Sequence, residues 1–321
     1  MFASALLCLM ATLVPQAPTE QSPKIDAWTK LTRLAGGEWV AGGEGAPNNF
    51  HRFMYGPGKR SLWLHTRNAD KLAQWPQSES VYYWHPGSKT LRALSVGTGD
   101  ALVEIGLEWQ DERLDADLAY HISGRKLTYV SRWAFEGNKA YDWSLFTRTK
   151  TGLAEAANFR FTHQDELRPL PEIAPPSFKP SEKLAFLDDF TGDWDVIAGG
   201  ADAPHGRLNF RWAAEGSAML VEVKDLSAEA VSLTRGIMFW HPELKQVRLL
   251  EIGAQGEVQE GTVTATENGV SLDLQVFNAD VSAHLTELWS KGPDGVFHGT
   301  KKRQVGNGPI EASQVMLRRP D

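Results

Sequence analysis

The 321-residue sequence has a single cysteine, Cys8, and an excess of acidic over basic side chains. Lys and Arg number 33 against 40 Asp and Glu, and the resulting net charge of −7 argues against a surface that neutralises nucleic-acid phosphates. One cysteine cannot build a disulfide framework. Hydrophobic residues at 42% and charged residues at 23% are ordinary globular values, which exclude a disordered chain and a polytopic membrane protein. We therefore expect a globular protein without a nucleic-acid partner.

Short motifs of the familiar catalytic and metal sites are also missing. The sequence has no Gly-x-Ser-x-Gly elbow, no phosphate loop and no dinucleotide fingerprint after a strand. It has no His-x-His, His-Glu-x-x-His or paired-cysteine spacing. The sequence thus predicts neither a serine nucleophile nor a metal site.

The first residues of the chain have the pattern of a secretory signal. Phe2 to Val14 is apolar except for Ser4 and Thr12, although no early Lys or Arg precedes it. The run is too short to cross a bilayer. We expect residues 1–17 to be a signal peptide, the protein to be secreted or periplasmic, and the mature chain to have no stable membrane span.

The chain contains two copies of one unit. Gly37-Glu38-Trp39 recurs as Gly192-Asp193-Trp194, and Trp84-His85-Pro86 recurs as Trp240-His241-Pro242. From the Trp-His-Pro group onward the two copies are 156 residues apart, so Gly97 matches Gly253 and Glu104 matches Glu260. Such self-similarity indicates a tandem duplication.

The segment between the copies is rich in proline, with five between residues 168 and 180, which is typical of a stiff linker. We therefore predict domains at 22–165 and 181–321, joined by a linker at 166–180. Within each domain, apolar and aromatic residues alternate over short runs bounded by turn residues, which predicts about ten antiparallel strands. A short helix should precede each set, with Pro23 opening the first and Ser181 the second.

A helix leading into Gly-x-Trp and then into an antiparallel meander resembles the lipocalin-like, or calycin, superfamily of β-barrels and similar bacterial secreted domains of unknown function. The resemblance implies an all-β protein of two tandem lipocalin-like barrels. It also implies an Arg against the Gly-x-Trp tryptophan near the end of each barrel, for which Arg160 and Arg318 are the candidates. Some related barrels hold haem through a late histidine. His163 fits in the first copy, but Glu311 to Arg319 of the second has none, so we expect no haem and no other cofactor.

Two glutamates are the best candidates for chemistry. Glu104 and Glu260 lie within strands, where an inward carboxylate would have a raised pKa and an outward one would face solvent. Arg92 and Arg248 either pair with these glutamates or hold a ligand carboxylate. His85 precedes a turn proline, as does its counterpart in the second copy, so we expect both imidazoles to bond their turns rather than to act as bases.

Tryptophan is abundant, with 12 in the chain. Trp39 and Trp194 are expected to close the barrel bases. Five others are candidates to line a ligand cavity, with packing in the core the simpler expectation for each: Trp84, Trp133, Trp212, Trp240 and Trp289.

The function expected from these features is the binding of a small hydrophobic molecule inside a barrel. Two alternatives stay open: a cavity enzyme doing acid–base isomerase or lyase chemistry, and a protein-interaction module without a ligand. Because one barrel fold hosts many functions, the fold does not choose among them.

Overall fold

The computed structural model describes residues 23–320 except for residues 43–45, 47, 72–77, 170–177, 200, 202, 227–230 and 280. The proposed signal peptide and the centre of the proposed linker lie outside these residues. The domain boundaries therefore stay predictions.

The protein is all-β, as the sequence predicts, and contains two closed ten-stranded antiparallel barrels. Each barrel is an up-and-down meander in which every strand pairs with its neighbours in sequence. The first barrel closes where β1 pairs with β10 and β2, and the second where β11 pairs with β20 and β12. One α-helix, α1, is followed by strands with these bounds: α1 Pro23–Leu31, β1 Glu38–Gly42, β2 Asn49–Tyr55, β3 Ser61–Asn68, β4 Ser78–His85, β5 Thr90–Gly97, β6 Ala101–Gln110, β7 Arg113–Ile122, β8 Arg125–Glu136, β9 Ala140–Thr149, β10 Gly152–Gln164, β11 Gly192–Ala198, β12 Gly206–Ala213, β13 Ala218–Asp225, β14 Ser232–His241, β15 Gln246–Gly253, β16 Val258–Thr266, β17 Gly269–Phe277, β18 Ser282–Lys291, β19 Phe297–Val305 and β20 Ile310–Arg318.

The helices before the two barrels differ. The first is the nine-residue α1, followed by a short 3-10 turn at Thr32–Leu34. In the described residues before the second barrel, the short helix expected after Ser181 is the six-residue 3-10 helix Ala185–Phe190. Both segments bury apolar side chains against the barrel that follows, so they have the same packing role.

The two Gly-x-Trp tryptophans are anchored in the same way. The indole N–H of Trp39 donates to the backbone carbonyl of Leu34 (2.9 Å), and that of Trp194 donates to the carbonyl of Phe190 (2.5 Å). Both rings are almost fully buried. Gly37, two residues before Trp39, has φ +64° and lies so close to the backbone of Gln164 that a side chain there would collide with it.

The arginine expected against this tryptophan is not one of the two named from the sequence. Arg319 stacks on Trp194, with its guanidinium carbon 3.8 Å from the ring centroid, while Arg160 pairs with carboxylates of its own barrel. In the first barrel the position 156 residues before Arg319 is His163, which packs edge-on against Trp39 at 4.9 Å. Nε2 of His163 lies 2.9 Å from the carbonyl oxygen of Gly36. This histidine, the haem candidate, therefore packs at the base of its barrel.

Each barrel interior is filled by its own cluster of buried aromatic and aliphatic side chains. A third cluster lies between the barrels, on the outer faces of their strands. It combines Trp63, Val81, Tyr83, Leu94, Val96 and Leu102 of the first barrel with Ala213, Ala218, Leu220, Ile237, Phe239, Leu250, Ile252 and Val258 of the second. The two barrels are therefore packed against each other through an apolar interface.

The interface uses the same surface of both repeats. Tyr83 and Phe239 stand 156 residues apart, as do Leu94 and Leu250, and each of these four side chains is in the shared cluster. This is the relation that a two-fold axis generates in an isologous homodimer, here formed within one chain.

Candidate functional site

The histidines of the Trp-His-Pro turns bond their own hairpins. Nδ1 of His85 accepts a hydrogen bond from the backbone N–H of Ser88 (3.1 Å), and Nδ1 of His241 accepts one from that of Leu244 (3.3 Å). These are the turn hydrogen bonds that the sequence predicts. With Nδ1 as acceptor, the proton of a neutral imidazole is on Nε2.

Each of these imidazoles also faces a glutamate of the other barrel. Nε2 of His85 lies 3.4 Å from Oε1 of Glu260, and Nε2 of His241 lies 3.5 Å from Oε1 of Glu104. The two contacts are related by the repeat, because each partner is shifted by 156 residues. Both glutamates therefore lie on the outer faces of their barrels, between the two domains, and not inside a barrel.

The surroundings of Glu260 favour its ionised form. The hydrogen bond from His85 and the positive charges of His85, Arg92 and Arg248 lower the pKa of this carboxyl, and partial burial only partly opposes them. The raised pKa that would suit a general base is absent at Glu260.

A third histidine breaks the symmetry. His121 on β7 points its Nε2 at Oε2 of Glu104 (3.1 Å) and packs against His241 with ring centroids 5.3 Å apart. The equivalent residue of the second barrel is Phe277, whose ring packs against His85 at 4.8 Å. Sequence reasoning singled out neither residue, although the repeat offset pairs them and shows that they differ.

These groups border an open cleft between the barrels with a volume of about 620 Å³. Its polar lining includes Arg92, Glu104, Asp117, Arg148, His241, Arg248 and Glu260. Its apolar lining includes Leu94, Ile105, Leu118, Phe239, Leu244, Leu249 and Leu250. The cleft thus offers a charged region and an apolar wall to the same molecule.

Arg92 and Arg248 reach the cleft from equivalent strands, β5 and β15. Within the described part of the chain, neither guanidinium forms a salt bridge with a carboxylate at 4.0 Å or less, although both charges act on Glu260. Tyr83 lies beside Arg92, and burial raises the pKa of its hydroxyl, so it stays protonated. Two guanidinium groups and a phenol are therefore placed to bind a carboxylate or another small anion.

The five tryptophans predicted to line a cavity belong to the barrel interiors. Trp133, Trp212 and Trp289 are buried there, and the partly buried Trp84 and Trp240 pack against the same interior clusters. The structure therefore brings Arg92, Arg248, Glu104 and Glu260 together at the cleft and holds the tryptophans in the barrel cores. Whether any of them binds a ligand stays a prediction.

A second open cavity, of about 570 Å³, lies at one end of the second barrel beside the 3-10 helix. Its lining combines Phe186, Phe190 and Phe297 with Asp189, Glu267 and Lys291. Lys291 and Asp189 form a salt bridge with each other at 3.0 Å, so its lysine is already neutralised by a carboxylate of the same cavity. The inter-barrel cleft, with two arginines that lack such a partner, is the stronger candidate site.

Among the helices of the described residues, none combines the length and the apolar character that crossing a membrane requires.

Two solved structures are weakly similar to this chain. No family model and no curated protein matches the sequence. Among solved structures, a putative outer membrane protein of Bacteroides fragilis NCTC 9343 is 9% identical, with a TM-score of 0.21, over 91% of this chain and 99% of that one. A conserved protein of unknown function with a hot dog fold from Alicyclobacillus acidocaldarius is 11% identical, with a TM-score of 0.11, over 92% of this chain and 99% of its own. At these TM-scores neither similarity bears on fold or function, and the two-barrel architecture rests on the strand pairing described above.

Proposed function

We propose that this is a secreted or periplasmic binding protein, built of two lipocalin-like barrels, that takes a small amphipathic anion into the cleft between them. The observation that carries the proposal is the pair of repeat-related arginines, Arg92 and Arg248, at a cleft that also has an apolar wall. The meander topology and the anchored Gly-x-Trp tryptophans support the lipocalin-like description of each barrel.

The position of the cleft modifies the ligand expected from the sequence. A hydrophobic molecule inside a barrel would have to displace aromatic side chains such as Trp133 and Tyr141, whose rings stack at 5.1 Å. The cleft is open to solvent and needs no such displacement. Its apolar side chains can contact the hydrophobic part of the ligand expected from the sequence. The two arginines favour a ligand that also has an acidic head group.

The charges in the cleft also favour an anionic ligand. The chain as a whole is acidic, but the cleft holds two guanidinium groups with no carboxylate at salt-bridge distance among the described residues. Charge-assisted bonds from arginine to a carboxylate are stronger than neutral ones, and the paired N–H groups match its two oxygens. A neutral apolar ligand would leave these groups unused.

The alternative of acid–base catalysis receives less support. The hydrogen bond and charges that lower the pKa of Glu260 make its carboxylate a weak base at neutral pH. The catalytic alternative needs a desolvated carboxylate inside a barrel, whereas Glu104 and Glu260 lie on the outer faces, facing histidines of the other barrel.

The test uses dodecanoate and dodecanol, which share an alkyl chain and differ in the head group. The full chain, Arg92→Gln, Arg248→Gln and the double variant are titrated with each probe by calorimetry. We expect dodecanoate to bind the double variant at least tenfold more weakly, because a charge-assisted hydrogen bond contributes about 1.5–3 kcal/mol, while dodecanol changes by less than threefold.

The matched control is Arg113→Gln. Arg113 is a half-exposed arginine paired with Asp115 at 2.8 Å and does not line the cleft, so its loss should leave both affinities unchanged. Equal binding of dodecanoate to the wild type and the double variant, or no binding to the wild type, would contradict the proposal.

A further inference from the structure

Three side chains at the edge of the inter-barrel cleft converge on one point. One nitrogen each from His121 and His241 and a carboxylate oxygen of Glu104 all lie within 4.8 Å of one another. The two Nε2 atoms lie 3.1 Å and 3.5 Å from the carboxylate oxygens of Glu104. Ligand atoms of a tetrahedral zinc site are about 3.3 Å apart, as zinc-to-ligand distances of about 2.0–2.1 Å require. The two histidine–glutamate distances are therefore close to the separation that a metal ion imposes, and the two imidazole nitrogens lie within 4.8 Å of each other.

The two barrels contribute to this cluster together. Glu104 and His121 come from β6 and β7 of the first barrel, and His241 ends β14 of the second. Both imidazoles are nearly buried, with side chains 3% and 8% exposed, whereas the Glu104 side chain is 46% exposed and borders the cleft. Buried imidazoles have fixed orientations, and the open side leaves room for water or another ligand. Two histidines, one carboxylate and an open position are a known donor set for zinc.

A second carboxylate supports the orientation of His121. Oε2 of Glu243 lies 3.9 Å from Nδ1 of His121 and 2.7 Å from Nζ of Lys126. A carboxylate beside the far nitrogen of a metal-binding imidazole favours the tautomer with its proton on that nitrogen, which frees the other nitrogen for the metal. Lys126 offsets the charge of Glu243, so the cluster itself is left with one carboxylate for a divalent ion.

The repeat provides a natural comparison site. The repeat-related site at the other side of the interface combines His85 of the first barrel with Glu260 of the second, but Phe277 of the second barrel stands where the first has His121. That site therefore has two of the three donors. Any property of the three-donor cluster that depends on metal should be absent from its two-donor counterpart.

Coordination has one structural cost. A metal on Nε2 of His241 moves the ring proton to Nδ1, and Nδ1 at present accepts the N–H of Leu244. That turn hydrogen bond must break, whereas the equivalent bond from Ser88 to His85 should persist. The cost is that of one ordinary hydrogen bond and gives a local readout of where the metal binds.

From this geometry we propose that Glu104, His121 and His241 form a binding site for a divalent transition-metal ion, with Zn²⁺ the best match, which bridges the two barrels. Imidazole and carboxylate ligands suit Zn²⁺ and its neighbours in the first transition row and are a poor set for Mg²⁺. The proposal does not depend on the anion proposed for the cleft, since it concerns different donor atoms.

The experiment is a Zn²⁺ titration of the untagged full-length chain by calorimetry, with His121→Phe and Phe277→His as the two informative variants. The wild type should bind one Zn²⁺ per chain. His121→Phe reproduces the residue that the second half already tolerates at this position, and we expect it to bind Zn²⁺ at least 100-fold more weakly. Phe277→His supplies the missing donor of the second site and should raise the stoichiometry to two.

The control is His284→Ala. His284 is exposed and paired with Asp273 at 2.7 Å, away from the cluster, so its loss should change neither affinity nor stoichiometry. In a backbone NMR spectrum, Zn²⁺ should shift the amide of Leu244 and leave that of Ser88 in place. Absence of stoichiometric Zn²⁺ uptake by the wild type, or equal affinity in His121→Phe, would overturn the proposal, as would a shift of both amides.

Discussion

Glu79 and Arg235 occupy equivalent positions of the two repeats, 156 residues apart, and carry opposite charges close to each other at the interface between the barrels. Burial alone would raise the pKa of Glu79, but the charges of His65, Arg211 and Arg235 lower it. Burial lowers the pKa of Arg235 to about 10, against the effect of Glu79. If two copies of the first half associated through this surface, two glutamates would face each other and repel. The Glu79 and Arg235 charges therefore favour association of the first half with the second.

Removing the charge of Glu79 should therefore destabilise the protein. Glu79→Gln removes a buried carboxylate that pairs with His65 at 3.0 Å and whose charge also acts on Arg235, which lies buried on the ring of Trp63, and we expect the free energy of unfolding to fall by about 3–5 kcal/mol. Denaturant unfolding measures the change. Arg235→Gln in the same background should cost much less than it does alone. Additive losses would show that the two charges are not coupled.

The apolar interface should make the two barrels unfold together. Trp63 is fully buried in the inter-barrel cluster, so Trp63→Ala should cost about 3–5 kcal/mol and separate the denaturant transition into two steps. Unfolding is followed by tryptophan fluorescence and by circular dichroism. The two denaturation curves should coincide for the wild type but not for Trp63→Ala. Separate transitions in the wild type would show that the interface does not couple the barrels, and a single coincident transition in Trp63→Ala would show that the coupling does not depend on Trp63.

Limited proteolysis gives an independent view of the same interface. We expect the first cut between Arg168 and Pro180, where the sequence predicts a linker. Because the barrels share a buried cluster, the two fragments should co-elute from a size-exclusion column. Trp63→Ala should let them separate, and fragments of the wild type that elute apart would contradict a stable interface.

Lowering the pH should reduce the folding stability of the first barrel because His51 is buried. Burial lowers the pKa of this imidazole to about 4, from 6.5 in the unfolded chain, and its ring stacks on Phe161 at 4.7 Å. Between these two pH values the unfolded chain takes up a proton that the folded chain refuses, so stability is complete above pH 6.5 and falls as the pH decreases toward 4. The loss from this group is roughly 3 kcal/mol.

The measurement is a set of urea titrations from pH 7 to pH 4 on the wild type and His51→Phe. Phenylalanine can keep the ring stack, and among the described residues Nδ1 of His51 has no hydrogen-bond partner to lose. The difference in stability between the two proteins should therefore change with pH by the amount above. A difference that is constant with pH would assign acid sensitivity to the carboxylates instead.

The predicted location of the protein outside the cytoplasm depends on residues 1–17 being a signal peptide. We expect the protein from its native host to begin beyond Val14 and to lie outside the cytoplasm, since the run from Phe2 to Val14 has the pattern of a signal. Intact-mass measurement of the cell fractions decides it. An intact Met1 in the cytoplasmic fraction would reject the signal peptide.

The sequence predicted the barrels better than the site. Alternating strands and the repeated Gly-x-Trp and Trp-His-Pro groups were enough to predict two all-β units of about ten strands, because these are local patterns. The interface was missed although it left a signal: β4 contains Val81-Tyr82-Tyr83-Trp84, an apolar run without alternation, which is typical of a strand buried on both faces.

The three-donor cluster could not be predicted from short motifs, since its members come from three strands of two domains. His121 and His241 are 120 residues apart in sequence, and only the docking of the barrels brings them together. The sequence also did not show which way the Glu104 side chain points. Position within a strand fixes which residues share a face but does not show what a second domain places against it.

That both halves belong to one chain has a consequence for the cleft they form. A homodimer with this interface would dissociate on dilution, whereas tethered partners meet at an effective concentration in about the millimolar range, however little protein is present. A homodimer would also carry every substitution twice. Here His121 and Phe277 can differ, so the two sides of the cleft can carry different side chains at repeat-related positions.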